Sequence, residues 1–70
     1  MNGLVNLKLL KEKISNSGLK MTSLSKMTEI KRETLYNRLL GKGEFTASEI
    51  VSMTNALRLT KDEREKIFFD

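Results

Sequence analysis

The sequence predicts a small all-α domain, and three observations support that prediction. The chain has no proline and only four glycines, so little in it interrupts a helix. Apolar residues recur at steps of three and four, which is the spacing of one helix face. At two places a threonine and a glutamate stand three residues apart, a pattern typical of helix N-termini. A chain of 70 residues is expected to form one domain, over residues 1–70.

The first helix is predicted over residues 4–16. Leu4, Leu7, Leu10 and Ile14 recur at three- and four-residue steps, with lysines and a glutamate between them. The "SNSG" that follows indicates a helix stop, because serine and asparagine compete for backbone hydrogen bonds. Gly18 can adopt the left-handed conformation that ends many helices.

A shorter second helix is predicted over residues 21–28. It should bury Leu24, with Leu19 and Ile30 as apolar residues at its two ends. Its start is poorly marked, because Lys20 occupies the position where a capping side chain is expected.

The third helix, predicted over residues 31–40, should have one apolar and one polar face. Leu35 and Leu39 are four positions apart and therefore lie on the same face. Gly41 and Gly43 are expected to end the helix and open a loop. The polar side chains expected to point away from the apolar face are Arg32, Glu33, Tyr36, Asn37 and Arg38.

The C-terminal third is predicted to form two more helices, over residues 47–57 and 61–68. In "FTASEI", Thr46 and Glu49 have the spacing of a capping box, flanked by apolar residues that form a hydrophobic staple. The "LTKDE" stretch repeats the box before the last helix. The residues predicted to form the core are Leu24, Ile30, Leu35, Leu39, Ile50, Met53 and Leu57.

Composition excludes several classes of function. Without cysteine or histidine, the chain has no disulfides, no thiolate nucleophile, no imidazole base and none of the usual zinc ligand sets. We expect no enzyme activity, no cofactor and no metal. Apolar runs are short and interrupted by lysines, so neither a signal peptide nor a membrane span is expected. These features favour a cytoplasmic protein.

The net charge of +4 is unevenly distributed. Residues 1–43 have nine Lys and Arg against three Glu, a balance of +6, and residues 44–70 have four against six, a balance of −2. The first part is suited to a polyanion. The alternative is that its lysines only keep the surface soluble.

The second and third helices lie close together in sequence, joined across "MTEIK". A short helix, a tight turn and a polar helix form an arrangement that projects the second helix from a small core. The major groove of DNA admits one such helix.

The sequence resembles the phage repressor and Cro family, specifically the small Cro-like regulators of phages that infect Gram-positive bacteria. The marks are "TLYNRLLGKGEFTASEI" and "LTKDEREKIFF", and the resemblance covers residues 7–69. It implies a compact five-helix, lambda-repressor-like helix-turn-helix domain that binds DNA through its third helix. It also implies a Cro-like repressor acting in a lysis-lysogeny switch of a bacterial host.

The chain departs from the family pattern at four positions. Glu29 stands where the family usually has glycine, and a left-handed non-glycine residue costs about 1 kcal/mol. Lys31 replaces a frequent serine cap, Met21 replaces a polar residue that commonly contacts the DNA backbone, and Arg38 stands where many members have an apolar side chain.

The resemblance assigns base reading to four residues of the third helix, Arg32, Glu33, Tyr36 and Asn37. Arg32 could donate two hydrogen bonds to the acceptor edge of guanine, and Asn37 could make a bidentate pair with adenine. Glu33 could accept a hydrogen bond from the amino group of cytosine. Tyr36 can offer its hydroxyl to a phosphate or its ring to a thymine methyl. The alternative is a solvated surface on which Arg32 pairs with Glu29, and Glu33 pairs with Asn37 or Arg38.

The residues assigned to phosphate contacts are Lys20, Thr22, Ser23, Lys31 and Lys42, for which simple solubility is the alternative. Phe68 and Phe69 form a possible protein interface, because two consecutive rings on a helix cannot both face one interior.

Two functions follow as expectations. The first is a sequence-specific regulator that binds double-stranded operator DNA as a homodimer or a cooperative pair. The second is an antirepressor that binds the phage repressor protein, suggested by the acidic second half, the two terminal rings and the departures at Met21 and Glu29.

Overall fold

Five helices follow one another in the computed structural model, which describes residues 5–69. They are α1 (Leu7–Ser17), α2 (Met21–Thr28), α3 (Arg32–Leu39), α4 (Ala47–Leu57) and α5 (Lys61–Phe68). No strand occurs within residues 5–69. The body measures 32 × 24 × 20 Å, and α2 packs against both α3 and α4, while α1 packs against α4 and α5. The prediction of an all-α fold is confirmed.

Three helices have the predicted bounds, and two differ slightly. The helix predicted from residue 4 begins at Leu7, because the side-chain oxygen of Asn6 accepts a hydrogen bond from the backbone N–H of Leu9 at 3.1 Å. The predicted contribution of Leu4 lies outside the described residues. Gly18 ends α1 in the left-handed conformation, with φ 76°, as predicted. α3 is one residue shorter at each end than predicted, and Leu40, just past it, is 66% exposed.

Both predicted capping boxes are present. The hydroxyl of Thr46 accepts from the N–H of Glu49 at 3.2 Å, and the Glu49 carboxylate accepts from the Thr46 N–H at 3.0 Å. Thr60 and Glu63 form the same pair of bonds at the start of α5, at 3.1 and 2.9 Å. These local bonds explain why the starts of α4 and α5 could be predicted from sequence.

Every helix contributes at least one side chain to the core. Its buried apolar residues are Leu10, Leu24, Ile30, Leu35, Leu39, Met53, Ile67 and Phe68. Ile50 and Leu57 were predicted to be core but are only half-buried, at its edge. Phe45 packs edge-on against Phe68, with ring centroids 5.4 Å apart.

The corner between α2 and α3 is closed by side-chain hydrogen bonds. Glu29 adopts the left-handed conformation, with φ 61°. The buried Thr28 hydroxyl donates to the Leu24 carbonyl at 2.8 Å and accepts from the Ile30 N–H at 3.3 Å. The Ser25 hydroxyl donates to the Ile30 carbonyl. These bonds hold Ile30 in the core and fix the direction in which α3 leaves the turn.

Candidate nucleic-acid interface

α3 has a buried face and an exposed face. Leu35 and Leu39 lie in the core, at 0% and 8% exposure. Arg32 and Glu33, in the first turn, are exposed, and Tyr36 is 51% exposed. We call the side chains assigned to base reading the α3 face: Arg32, Glu33, Tyr36 and the half-buried Asn37.

The charged groups of the α3 face are not used in ion pairs within residues 5–69. The two ion pairs in that part of the chain are Lys13 with Glu63 and Arg38 with Glu49. The alternative pairing of Arg32 with Glu29 is not formed. Arg32 and Glu33 thus leave their hydrogen-bonding groups available to an external partner.

Arg38 does not lie on the exposed surface where the helical pattern predicted it. Its side chain is 20% exposed and bonds Glu49 of α4, with Nε donating to Oε1 at 3.2 Å. The alternative pairing of Glu33 with Arg38 is therefore not formed, because Arg38 instead binds the carboxylate of Glu49 on α4. No local pattern reveals this contact, since the two residues are 11 positions apart in different helices.

The residues assigned to phosphates cluster at helix starts and in one loop. Lys20 and Lys31 occupy the N-cap positions of α2 and α3, and neither helix has a side-chain cap hydrogen bond. Thr22 is exposed and Ser23 half-buried in the first turn of α2, and Lys42 is exposed in the loop after α3. By contrast, side chains cap α1, α4 and α5. Uncapped first-turn N–H groups are hydrogen-bond donors that suit anions.

An open cleft of about 350 Å³ lies between the α2–α3 turn and the start of α4. Its lining comprises Thr28, Glu29, Ile30, Lys31, Thr34, Ser48, Glu49 and Ser52. Within residues 5–69, no group of three or more Asp or Glu side chains is placed to hold a metal ion. No helix in that range is long and apolar enough to cross a membrane.

No protein-family model matches the chain, and neither the curated proteins nor the solved structures gave a match.

The two terminal rings differ sharply in environment. Phe68 is 2% exposed and packs against Phe45, so its side chain is part of the core and not available as an interface. Phe69 is 55% exposed beside a shallow depression that it lines together with Asp62, Glu65 and Lys66. Of the two predicted interface residues, only Phe69 has an accessible ring.

Proposed function

We propose that the chain is a sequence-specific DNA-binding transcriptional regulator, a Cro-like repressor of a phage lysis-lysogeny switch. The observation that supports this most is the α3 face. Leu35 and Leu39 anchor α3 in the core, while Arg32 and Glu33 in its first turn are exposed and have no ion-pair partner among residues 5–69. A helix exposed in this way suits insertion into the major groove.

Each residue of the α3 face has a chemical role in this proposal. Arg32 donates two hydrogen bonds to the acceptor edge of guanine, and Asn37 makes a bidentate pair with adenine. Glu33 accepts from the amino group of cytosine. The ring of Tyr36 contacts a thymine methyl, or its hydroxyl donates to a phosphate.

Phosphate contacts fix the register of the helix on the duplex. The uncapped N-termini of α2 and α3 direct backbone N–H groups outward, next to Lys20 and Lys31. Thr22, Ser23 and Lys42 supply further donors. These contacts add affinity for any DNA sequence, and the salt dependence of binding follows from them.

One α3 helix reads only a few base pairs. A homodimer or a cooperative pair of monomers, reading half-sites about 34 Å apart, would supply useful specificity. Bound near a promoter in the cytoplasm of a bacterial host, the protein would repress by blocking the polymerase.

The exposed ring of Phe69 favours a second candidate, an antirepressor that binds the phage repressor protein. Phe69 lies beside Asp62, Glu65 and Lys66, which together have a net charge of −1. An apolar surface with an acidic edge suits a basic partner protein, such as the DNA-binding surface of a repressor.

The test is selection from a library of randomised DNA duplexes, followed by titration of the selected duplex and of a scrambled duplex with the same base composition. The proposal predicts an enriched motif, tighter binding of the selected duplex, and affinity that falls as salt rises. Equal binding of both duplexes would contradict sequence-specific recognition. Binding to neither duplex, together with a stable complex with a purified phage repressor, would favour the antirepressor.

A further inference from the structure

Arg38 joins α3 to the first turn of α4. Its Nε donates to Oε1 of Glu49 at 3.2 Å, and its Nη2 lies 3.5 Å from Oε2. Both side chains are largely withdrawn from solvent, at 20% and 17% exposure. A two-point contact between a guanidinium and a carboxylate restricts orientation as well as distance.

The capping box of α4 fixes the position of the Glu49 carboxylate that Arg38 contacts. Oε1 of Glu49 also accepts from the backbone N–H of Thr46 at 3.0 Å, and the Thr46 hydroxyl accepts from the Glu49 N–H at 3.2 Å. The acceptor is therefore held in place by α4 itself. The guanidinium of α3 is positioned relative to the backbone of α4, and not only relative to a flexible side chain.

The loop between α3 and α4 leaves space for the guanidinium at Gly43. Gly43 has a φ of 80°, and a Cβ added there would lie 2.5 Å from Nη1 of Arg38. Any larger residue would force either the loop or the guanidinium to move. Glycine is thus favoured at this position by its backbone conformation, and a larger residue would displace the guanidinium.

The other contacts of α3 are less directional. Leu35 and Leu39 bury their side chains in the core, and apolar burial tolerates small rotations and shifts better than a two-point polar contact does. At the N-terminal end of α3, the open cleft separates Lys31 and Thr34 from Ser48 and Ser52 of α4. The polar link to α4 borders this cleft, because Glu49 is also one of the residues that line it.

We propose that Arg38 and Glu49 are positioning residues that set the angle and depth at which α3 presents its outward side chains to DNA, with Gly43 providing the space they need. This inference rests on the proposed DNA-binding function and adds a specificity role for residues that touch neither base nor phosphate. A shift of less than 1 Å in a recognition group is enough to weaken its hydrogen bonds.

The test uses Arg38→Met and Glu49→Gln in the full chain. Methionine keeps an unbranched apolar stem but has no donor, and glutamine keeps the acceptor required by the capping box without the charge. The matched controls are Arg58→Met and Glu12→Gln, which remove the same charges from exposed positions. The probes are the duplex selected by the wild-type protein and its scrambled counterpart, titrated over a range of salt.

Arg38→Met should lower the ratio of selected to scrambled affinity about tenfold, which is ~1.4 kcal/mol. Glu49→Gln should lower it by less, because the amide oxygen still accepts from Arg38 but has no charge. The double variant should lower it no further than Arg38→Met alone, because both substitutions act on the same interaction. The salt slope should stay that of the wild type, and the controls should keep the wild-type ratio. Gly43→Ala should lower the ratio in the wild-type background by more than in the Arg38→Met background.

Two results would overturn the inference while leaving DNA binding intact. A salt slope about 1 smaller in Arg38→Met, with the affinity ratio retained, would identify Arg38 as a phosphate contact. An unchanged ratio and slope in both variants, relative to their controls, would show that the link does not position α3. A wild-type protein without sequence preference would instead contradict the proposed function, and this inference with it.

Discussion

Lys13 of α1 and Glu63 of α5, 50 positions apart in sequence, form an ion pair that joins the first and last parts of the fold. The Lys13 ammonium lowers the pKa of the Glu63 carboxyl group, and the backbone N–H of Thr60 lowers that pKa further. A backbone bond from the N–H of Asn6 to the carbonyl of Ile67, at 2.7 Å, connects the same two regions.

The ion pair predicts a pH dependence of stability. The folded-state pKa of Glu63 lies below its unfolded value. The ion pair therefore stabilises the fold fully above the unfolded pKa, and this stabilisation is lost as the pH falls through the folded pKa. Lys13→Met should lower the melting temperature at pH 7. The difference from wild type should shrink as the pH falls below the ordinary glutamate range. Thermal denaturation from pH 7 to pH 3 measures this, with the exposed Lys11→Met as control. A difference that does not change with pH would contradict the prediction.

The anchoring of α3 predicts unequal effects for Leu35, in the middle of the helix, and Leu40, just past its end. Leu35 is 0% exposed and Leu40 is 66% exposed. Leu35→Ala should reduce the free energy of unfolding by about 2–5 kcal/mol, because it leaves a cavity in the core. Leu40→Ala should change it by less than about 0.5 kcal/mol. Urea denaturation monitored by circular dichroism compares the two variants. Similar losses for both would mean that α3 is not anchored through Leu35.

The left-handed conformation of Glu29 predicts a stabilising substitution. At φ 61° a side chain strains the backbone, and glycine does not. Glu29→Gly should raise the free energy of unfolding by about 1 kcal/mol. The matched control, Glu33→Gly inside α3, should lower it by about 0.5–1 kcal/mol. A loss of stability in Glu29→Gly would show that the turn does not require this backbone conformation.

Base and phosphate contacts should respond differently to substitution. Asn37→Ala should relax sequence preference, costing about 1–3 kcal/mol of discrimination at one base pair. Lys42→Ala should weaken binding to all duplexes alike and reduce the salt slope by about 1. Fluorescence anisotropy with single-base variants of the selected duplex separates the two effects. If Asn37→Ala keeps every base preference, Asn37 does not read a base.

Much of the fold could be predicted because its signals are local. Each of the two Thr–Glu capping boxes spans only four residues, and Gly18 alone marks the end of α1. The start of α1 had a local signal too, since Asn6 directly precedes Leu7 and caps the helix, but the leucine spacing suggested an earlier start.

The remaining features depend on distances between helices. The choice of Phe68 over Phe69 for the core is made by packing against Phe45, which lies in a different part of the chain. The position of Arg38 depends on where α4 places Glu49. The periodicity of a single helix predicts neither of these two contacts. The buried side of α3 could be predicted because Leu35 and Leu39 are four positions apart.

The most direct test of the central claim is to map the DNA-contacting surface by NMR. The amide and side-chain resonances of the labelled protein are followed as the selected duplex is added. We predict the largest shifts at Arg32, Glu33, Tyr36 and Asn37, with smaller ones at the N-terminus of α2 and at Lys42. Shifts concentrated around Phe69 on α5, with the α3 resonances unmoved, would contradict recognition of DNA by α3.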